Sequence, residues 1–418
     1  MDGEERLHGS DGRGRSGMAV AVGIDVSKEF HWAEIKVAET GKVLLSRRFD
    51  NAPGAIGELI EHITVAQAEH GPATVGIDVL GGIAGLLEAM LLHAGLAVVH
   101  VPGMAVNRAR RATVGGERKS DPKDARVIAD QVRMRDDLRP VQPGRELDAE
   151  LRLLVGRRAE LVTDATRRAA RLRDLLTSIH PGLERVVDVT GKLGLHLLTR
   201  FVTPAEIRDA GLEDVLAHLR QVRHVKASMV RALAEAAIDA AAAQHIAVPG
   251  QTVAADIIRD LAAEALAGRE RLAQLDARIQ EVLARHPDAA LILSLPGMGA
   301  TLTAEFLAET GGIARFASPD QLASAAGLAP VLKQSGKVRY LQRATAGNKA
   351  LKRVFYQSAF IAISCDPASR AFYDRKRAAG KRHHQALIAL ARRRVNVLHA
   401  ILRHRRPYDP SHVRAAVA

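Results

Sequence analysis

Four aspartates in the first third of the chain have the residue type and the spacing of a metal site. Asp25 and Asp78 each end a short apolar segment, in "VGIDVSK" and "VGIDVLGG", and Asp121 and Asp124 lie three residues apart in "KSDPKDA". Ionised carboxylates repel one another in a small space unless a cation neutralises them. Carboxylate oxygens suit hard cations. The set therefore predicts a Mg²⁺ or Mn²⁺ site of the kind that supports phosphodiester chemistry.

The second pair of aspartates also has a purely structural interpretation. Asp121 followed by Pro122 is typical of a helix start, with Asp at the N-cap and Pro at the first helical position. Asp124 would then lie in the first turn, where a carboxylate favours the helix dipole. This interpretation does not explain the basic residues nearby, which are candidates for binding a nucleic-acid backbone: Arg108, Arg110, Arg111, Arg118 and Lys119.

The segments that must position Asp25 and Asp78 have the pattern of a sheet. Three short segments within 18–50 are rich in β-forming residues and predict a meander of three strands. A helix (53–69), a strand (73–79), a helix (82–95) and a strand (96–101) follow, and a helix after Asp121 closes the unit. This is the order of the ribonuclease-H-like fold, in which strands one and four are neighbours. We therefore predict an α/β domain over 18–135.

The middle of the chain has the pattern of long helices. After a predicted linker at 136–146, apolar residues step by three and four from 147 to 179, and a second seam runs from Ile258 to Val282. Such seams are typical of coiled coils, and these two could pair within one chain or between chains. The alanine-rich stretch 183–250 between them is predicted to be helical, with breaks at Pro204 and Pro249. The predicted helical region spans 147–286.

The composition limits the class of protein. A chain of 418 residues is expected to form two or three domains. A single cysteine, Cys365, excludes an internal disulfide and a cysteine-based zinc site, and it fits a reducing cytoplasm. No uninterrupted apolar run reaches about 18 residues, so we predict no membrane span. The polar, glycine-rich residues 1–17 are predicted to be a disordered tail.

The positive charge is concentrated at the C-terminal end. The net charge is +13, and residues 331–418 contain 20 Lys and Arg against 3 Asp and Glu, a net +17. The remaining residues therefore carry a net −4. A basic surface of this density is expected to bind a polyanion, most simply nucleic acid. We predict a mainly α-helical, basic domain over 287–407, followed by a tail at 408–418.

Two motifs in this basic domain could contact DNA. The stretch "LSLPGMGATLTAEFLAETGG" has the form of a helix-hairpin-helix, in which the turn at Gly297 and Gly299 offers backbone N–H groups to a phosphate. A packing corner between two helices explains it nearly as well. Ser335, in "KQSGK", is surrounded by Lys333, Lys337, Arg339 and Arg343, which could hold a phosphate and stabilise charge on it. Taken alone, a Ser-Gly pair is more often a turn.

Together these motifs resemble one family. "GIDVSK", "GIDVLGG" and "KSDPKDA", with "LPGMGATLTAEFLAETG", "RFASPDQLASAAGLAP", "QSGK" and "GNKALKR", are similar to the DEDD-type serine transposases of bacterial insertion elements, recombinases guided by a bridge RNA. The resemblance covers roughly 20–135 and 290–365. One departure is that this family usually has Glu where this chain has Asp78, which shortens the side chain and preserves its charge.

The resemblance implies the following assignments. The four aspartates would be the Mg²⁺ (or Mn²⁺) ligands of a RuvC-like domain, and Ser335 would form a covalent phosphoserine link to DNA. DNA, a structured guide RNA and further copies of the chain would be partners, in a nucleoid-associated protein of the bacterial cytoplasm. The positive charge of the C-terminal domain would bind the nucleic-acid backbone, with candidates in "GNKALKR" as well: Lys349, Lys352 and Arg353.

Other readings of the same residues stay open. All four tyrosines lie in the last fifth, but no histidine after 331 has Arg three residues on, which disfavours a tyrosine recombinase. A metal-dependent nuclease or resolvase would use water as the nucleophile and leave Ser335 as a turn residue. A non-enzymatic nucleic-acid-binding protein with a decayed nuclease fold is the third alternative, and Asp78 makes it worth testing.

Overall fold

The computed structural model describes residues 18–112, 119–141, 146–335, 338–342 and 344–410. The chain forms two compact units, Met1–Gly144 and Arg145–Ala418. The predicted disordered tail at 1–17 and most of the predicted tail at 408–418 lie outside the described residues. So do three predicted nucleic-acid-binding residues: Arg118, Lys337 and Arg343.

A six-stranded sheet forms the centre of the first unit. Its order is β3-β2-β1-β4-β5-β6, with β1, β2 and β3 antiparallel and with β4 and β5 parallel to β1. The strands are Val20–Val26 (β1), Phe30–Val37 (β2), Val43–Asp50 (β3), Ala73–Ile77 (β4), Ala97–His100 (β5) and Arg139–Pro140 (β6). The predicted meander and the predicted adjacency of strands one and four are therefore seen.

Four helices cover the sheet. They are Pro53–His70 (α1), Gly85–His93 (α2), Gly103–Arg111 (α3) and Asp121–Met134 (α4). Three details differ from the predictions. A 3-10 turn, Gly82–Ala84, precedes α2; helix α3 was not predicted; and the predicted linker at 136–146 contains β6, which pairs antiparallel with β5. Residues 139 and 140 escaped sequence analysis because a two-residue strand has no period to detect.

The alternation of side chains along β1 separates two cores. Val20, Val22 and Ile24 pack with α1 and α2, whereas Ala21 belongs to a smaller core with α3 and α4. Successive strand residues point to opposite faces, so Gly23 and Asp25 share the face of Ala21. The face that receives α4 is therefore the face that carries Asp25.

Two glycines allow α4 to lie almost on the backbone of the sheet. Gly23 and Gly76 are opposite each other in the parallel pair β1 and β4. A Cβ atom on Gly23 would lie 2.2 Å from the carbonyl oxygen of Ala125, and one on Gly76 would lie 2.3 Å from a methyl of Val132. No side chain larger than hydrogen fits at either position without moving the helix.

A buried charge network fixes α4 against β2. Lys36 Nζ lies 3.1 Å from Glu34 and 2.8 Å from Asp130 of α4. Arg126 of α4 approaches Glu34 at 3.3 Å, and Glu34 is fully buried. Since a buried carboxylate needs compensating partners, this network favours one placement of the helix along the sheet.

The second unit is helical apart from one hairpin. Its elements are Glu146–Ile179 (α5), Pro181–Val186 (α6), Lys192–Leu198 (α7), Pro204–Leu219 (α8), Ala227–Ala242 (α9), Gln251–Arg285 (α10), Ala289–Leu293 (α11), Ala300–Thr310 (α12), Pro319–Ala325 (α13), Val331–Ser335 (β7), Val338–Gln342 (β8), Lys349–Cys365 (α14), Pro367–Ala378 (α15) and His383–His404 (α16). The mixed α/β and all-α composition agrees with the predicted fold class. Pro204 begins α8, in a capping box formed by Thr203 and Glu206.

Helices α5 and α10 pair with each other within the chain, which answers one open alternative for the two seams. Arg158 and Arg168 of α5 form ion pairs with Asp276 and Glu264 of α10 at 2.6 and 3.1 Å. The two ends of the pair belong to separate cores, one shared with α6–α9 and the other with α11–α16. Among the described residues, no helix has the length and apolarity required to cross a membrane.

We expect Gly23→Ala to destabilise the first unit and displace α4, because the added methyl meets backbone atoms that cannot rotate away. Overpacking of this kind costs about 1–3 kcal/mol or more. Urea unfolding followed by circular dichroism measures it. Gly57→Ala is the matched control, because Gly57 lies in α1 with open space around its Cα and should stabilise the helix by up to about 1 kcal/mol. Equal stabilities for both variants would contradict the close approach.

Candidate functional site

Asp25 and Asp78 meet at the carboxyl ends of two neighbouring strands. Ile24 and Ile77 are paired in the parallel register of β1 and β4, so the next residue of each strand is an aspartate. The backbone N–H of Val26 donates to Asp78 Oδ1 at 3.4 Å. Both carboxylates are half-buried. The structure therefore brings together the two residues that the repeated "VGID" frame singled out.

The N-terminus of α4 brings Asp121 and Asp124 to the same edge of the sheet. Asp121 is the first residue of the helix, and its N-cap is Ser120, whose side chain makes no cap hydrogen bond. The prediction that Asp121 is the N-cap was therefore wrong by one position, since Pro122 occupies the second helical position. A capping role therefore does not explain why an aspartate occupies position 121.

The pKa values show that the carboxylates act on one another. Burial, together with the negative charges of Asp78, Asp124 and Asp121, raises the pKa of Asp25 to about 7, although the positive charge of Lys119 lowers it. Burial also raises the pKa of Asp78, against the effect of the Val26 backbone hydrogen bond. All four acidic residues therefore lie within one electrostatic neighbourhood.

Arg110 of α3 supplies the positive charge for one member of the set. One guanidinium nitrogen, Nη1, lies 3.0 Å from both oxygens of Asp124, and both side chains are buried. A buried ion pair of this kind cannot also contact a nucleic-acid backbone. The prediction that Arg110 binds nucleic acid therefore disagrees with its placement, whereas Arg108, Arg111 and Lys119 are exposed.

The donor set suits a hard divalent cation, although its members do not yet converge. Among the residues that the structure describes, no three acidic, histidine or cysteine side chains lie close enough to hold an ion. The four candidates are all carboxylates, and carboxylate oxygens are ligands that Mg²⁺ prefers. The negative charges of the other three raise the pKa of Asp25, and a cation would neutralise those charges. Arg110 provides part of that neutralisation at Asp124.

Sequence analysis missed the residues that position the site. Gly23 and Gly76 lie two residues before Asp25 and Asp78, on the same face of the sheet, and they let α4 approach. The repeated "VGID" contained this signal, because a glycine inside a strand often marks a close approach of another backbone. The role of Arg110 had no local signal, since Asp124 is 14 residues away in the chain.

Ser335 ends one strand of an exposed hairpin in the second unit. Strands β7 and β8 pair antiparallel, and the backbone of Ser335 is paired with that of Val338. The described side chains of the hairpin are exposed, including Lys333, Arg339 and Tyr340. Sequence analysis predicted no strand here. A two-stranded hairpin with exposed faces is marginally stable by itself, so its amino acids are suited to contact a partner.

Gly297 has a packing role. Its φ is 82°, and a Cβ atom there would lie 2.6 Å from the carbonyl oxygen of Ser358 in α14. Buried Arg394 donates to Ser358 Oγ at 2.8 Å and also binds the carbonyl of Pro296. The packing-corner alternative therefore accounts for Gly297. Gly299 is the exposed N-cap of α12, and its predicted contact with phosphate stays a prediction.

Three predicted basic residues lie in the first turns of α14. Asn348 caps this helix by accepting from the backbone N–H groups of Ala350 and Leu351. Arg353 forms a 3.0 Å ion pair with Glu305 of α12 and stays partly exposed. Lys349 and Lys352 lie on the same side of α14, because residues three apart on a helix are neighbours.

Two family models match this chain. Residues 22–181 match the family model of a DEDD transposase of the IS110 kind, and residues 289–374 match the model described as transposase IS116/IS110/IS902 family. The chain is 44% identical to the 42 kDa protein of insertion element IS900 of Mycobacterium paratuberculosis, over 95% of this chain and 99% of the relative. It is 41% identical to the 44.8 kDa protein of IS116 of Streptomyces clavuligerus, over 93% and 96%.

Among solved structures, the chain is similar to T. thermophilus RuvC in complex with a Holliday junction substrate. The likeness covers 29% of this chain and 99% of that chain, at 17% identity and a TM-score of 0.23. A TM-score of this size does not establish a shared fold.

We expect Asp25→Asn to raise the thermal stability of the metal-free protein, and to do so more at about pH 8 than at about pH 5. The folded-state pKa of about 7 lies above the ordinary aspartate pKa of 3.8, so the stability contributed by Asp25 is lost as the pH rises between these values. The amide has no proton to lose. Differential scanning calorimetry in EDTA measures the difference, with the exposed Asp50→Asn as control. An equal gain at both pH values would contradict the raised pKa.

We expect Arg110→Gln to destabilise the metal-free protein by about 3–5 kcal/mol, because it leaves the buried Asp124 carboxylate without its ion-pair partner. Mn²⁺ or Mg²⁺ should then raise the melting temperature of this variant more than that of the wild type. The exposed Arg111→Gln is the control. If metal raised the melting temperatures of Arg110→Gln and of the wild type equally, Asp124 would not contribute to cation binding.

Proposed function

We propose, because this chain belongs to the IS116/IS110/IS902 family of transposases, that its DNA cleavage and strand transfer use a carboxylate-held metal in the first unit and Ser335 in the second. The transposition of an insertion element is the reaction of the family. The two catalytic elements and their residues are our proposal.

The observation that supports the metal half is that Asp25 and Asp78 follow two neighbouring strands and that the charges of Asp121 and Asp124 also act on Asp25. The pKa of Asp25 is raised by the charges of the other three. The strand order β3-β2-β1-β4-β5, with the first three antiparallel, supports a ribonuclease-H-like (RuvC-like) assignment for this unit. Asp at position 78 keeps the charge of the usual Glu, and its neighbour Val26 holds it beside Asp25.

The metal would polarise a phosphodiester and stabilise its leaving oxygen. The four aspartates would hold it, and Arg110 would adjust the charge at Asp124. The Ser335 hydroxyl would attack phosphorus: the bond from Oγ to phosphorus forms, the bond from phosphorus to a deoxyribose oxygen breaks, the Oγ proton passes to a carboxylate, and the leaving oxygen takes up a proton. Reversal by a second strand's hydroxyl restores a phosphodiester and frees the serine.

The hairpin supports this role for Ser335. Its exposed strands present Lys333 and Arg339 next to a serine at the end of β7. Cations at that position favour binding of a DNA backbone and stabilise the charge of the phosphoryl group in transfer. A covalent intermediate also conserves the energy of the phosphodiester, so that strands can be exchanged without ATP.

The alternative is a metal-dependent nuclease in which water attacks. It requires only the carboxylates of the first unit, which lie together independently of Ser335. A binding protein without catalysis would need neither. As further partners of the transposase we propose a structured guide RNA and additional copies of the chain, because the basic surface suits RNA as well as DNA.

We expect a covalent protein–DNA adduct on supercoiled plasmid carrying the element's end junction with Mg²⁺, and its loss in Ser335→Ala. Denaturing gel electrophoresis of labelled DNA detects the adduct. Asp25→Asn should abolish both adduct and cleavage, by about 100-fold or more in rate, because the metal contributes several kcal/mol to transition-state stabilisation.

Ser324→Ala is the control, since Ser324 is exposed on α13 and lies outside the hairpin. Cleavage without an adduct in both wild type and Ser335→Ala would identify water as the nucleophile. Full activity of Asp25→Asn would remove the metal site from the reaction.

A further inference from the structure

A surface of aromatic and basic side chains lies on the last three helices of the second unit, with Phe360 exposed and Tyr356 and Tyr373 half-buried. Helices α14, α15 and α16 pack against one another. We call this surface the aromatic strip and define it by six residues: Lys352, Tyr356 and Phe360 of α14, Tyr373 of α15, and His383 and His384 of α16.

The α14 part of the strip follows from helical spacing. Lys352, Tyr356 and Phe360 are four residues apart, so they lie on one face of the helix about 6 Å apart along its axis. Phe360 is 52% exposed. An exposed phenylalanine is unusual in this chain, whose aromatic content is only 3%. Five of its 13 Phe, Tyr and Trp residues lie within 349–384.

Two tyrosine–histidine pairs continue the strip around the start of α16. The Tyr373 hydroxyl and His383 Nδ1 are hydrogen-bonded at 2.7 Å, and the Tyr356 hydroxyl and His384 Nδ1 at 3.3 Å. The ring centroids of the two pairs are 5.7 and 5.2 Å apart. These bonds hold the four rings in fixed orientations at the surface, which lowers the entropic cost of stacking on them.

The segment that carries most of the strip has a net positive charge. Residues 349–384 contain nine Lys and Arg but only two acidic residues. Asp366 is buried and caps α15 by accepting from Ser369, and Asp374 is paired with Arg370 at 2.8 Å. A further ring, Phe372, has Arg375, Lys376 and Arg393 within 6 Å of its centroid. No free acidic side chain of this segment would repel a polyanion.

We propose that the aromatic strip binds an unpaired nucleic-acid segment, with bases stacked on Tyr356, Phe360 and Tyr373 and phosphates held by the surrounding cations. Cations alone would suit a duplex equally. A surface ring adds stacking energy to nucleic-acid binding only where base faces are accessible, and in a duplex those faces are already stacked. This inference rests on the proposed function only in taking the protein to act on nucleic acid, and it concerns binding without cleavage.

The test measures binding by fluorescence anisotropy, with full-length protein in EDTA at about 0.15 M salt. The probes are labelled, unstructured RNA and DNA strands of about 12 nucleotides and a DNA duplex of the same length. Tyr356→Leu and Tyr373→Leu keep apolar volume but remove the rings. Each should weaken single-strand binding by about 5- to 150-fold and change duplex binding less than twofold. Tyr356→Phe and Tyr373→Phe should retain single-strand binding largely.

Ile246→Ala is the matched control, because Ile246 is an exposed apolar residue of the same unit outside the strip. Tighter binding of the RNA strand than of the DNA strand would indicate a transcript as the natural ligand, and the reverse would indicate an opened DNA strand; either result supports the proposal. Unchanged single-strand binding in both leucine variants overturns it. So does an equal loss for strand and duplex, or a change in sedimentation that shows the strip to be a protein contact.

The outcome is separable from that of the catalytic proposal. Strip variants are measured without divalent metal and with Ser335 present, whereas the adduct test requires metal and DNA ends. Loss of single-strand binding in the leucine variants supports the aromatic strip whether or not the wild type forms the adduct. If the wild type forms no adduct but the leucine variants lose single-strand binding, the proposal for the aromatic strip is supported and the role of Ser335 is overturned.

Discussion

The approach of α4 to the backbone of β1 and β4 is the constraint on which the rest of the first unit depends. Two hydrogen-only positions, Gly23 and Gly76, face the helix across a gap too small for a methyl group. Asp25 and Asp78 lie two residues further along the strands and on the same face. The N-terminus of the helix that packs on these glycines is therefore close to both aspartates. The same placement of α4 therefore packs the core and brings the acidic residues near one another.

Bringing carboxylates together has an energetic cost that the structure meets in two ways. Burial and neighbouring charges disfavour ionisation of Asp25, whereas Arg110 neutralises Asp124 directly. Away from the site, Glu34, Lys36, Asp130 and Arg126 form a separate compensated network that ties α4 to β2. The fold thus holds α4 by charges that are compensated, whereas Asp25 and Asp78, beside the N-terminus of this helix, have raised pKa values.

The second unit is organised differently, by long helices that connect two cores. The paired helices α5 and α10 contribute one end to each core, so their intervening turns are held by each other and by ion pairs such as Arg158 with Asp276. The basic segments lie at the surface of the C-terminal core. There the hairpin exposes Lys333 and Arg339 to solvent, and the aromatic strip exposes Phe360.

The sequence by itself determined much of this protein, because its strands and helices have strong local periods. The meander, the adjacent strands one and four, the acidic motifs and the C-terminal charge could all be predicted from spacing and composition, and the family could be identified from motifs. The short β6 and the hairpin that carries Ser335 could not, since neither has a distinctive local pattern, and the apolar seams of α5 and α10 left open whether these helices pair within one chain or between chains. Only the tertiary structure decided that Arg110 neutralises Asp124, that Gly297 is a packing residue, and that Gly23 sets the distance of α4. Each of these depends on atoms brought together from distant parts of the chain, and no local period records such a contact.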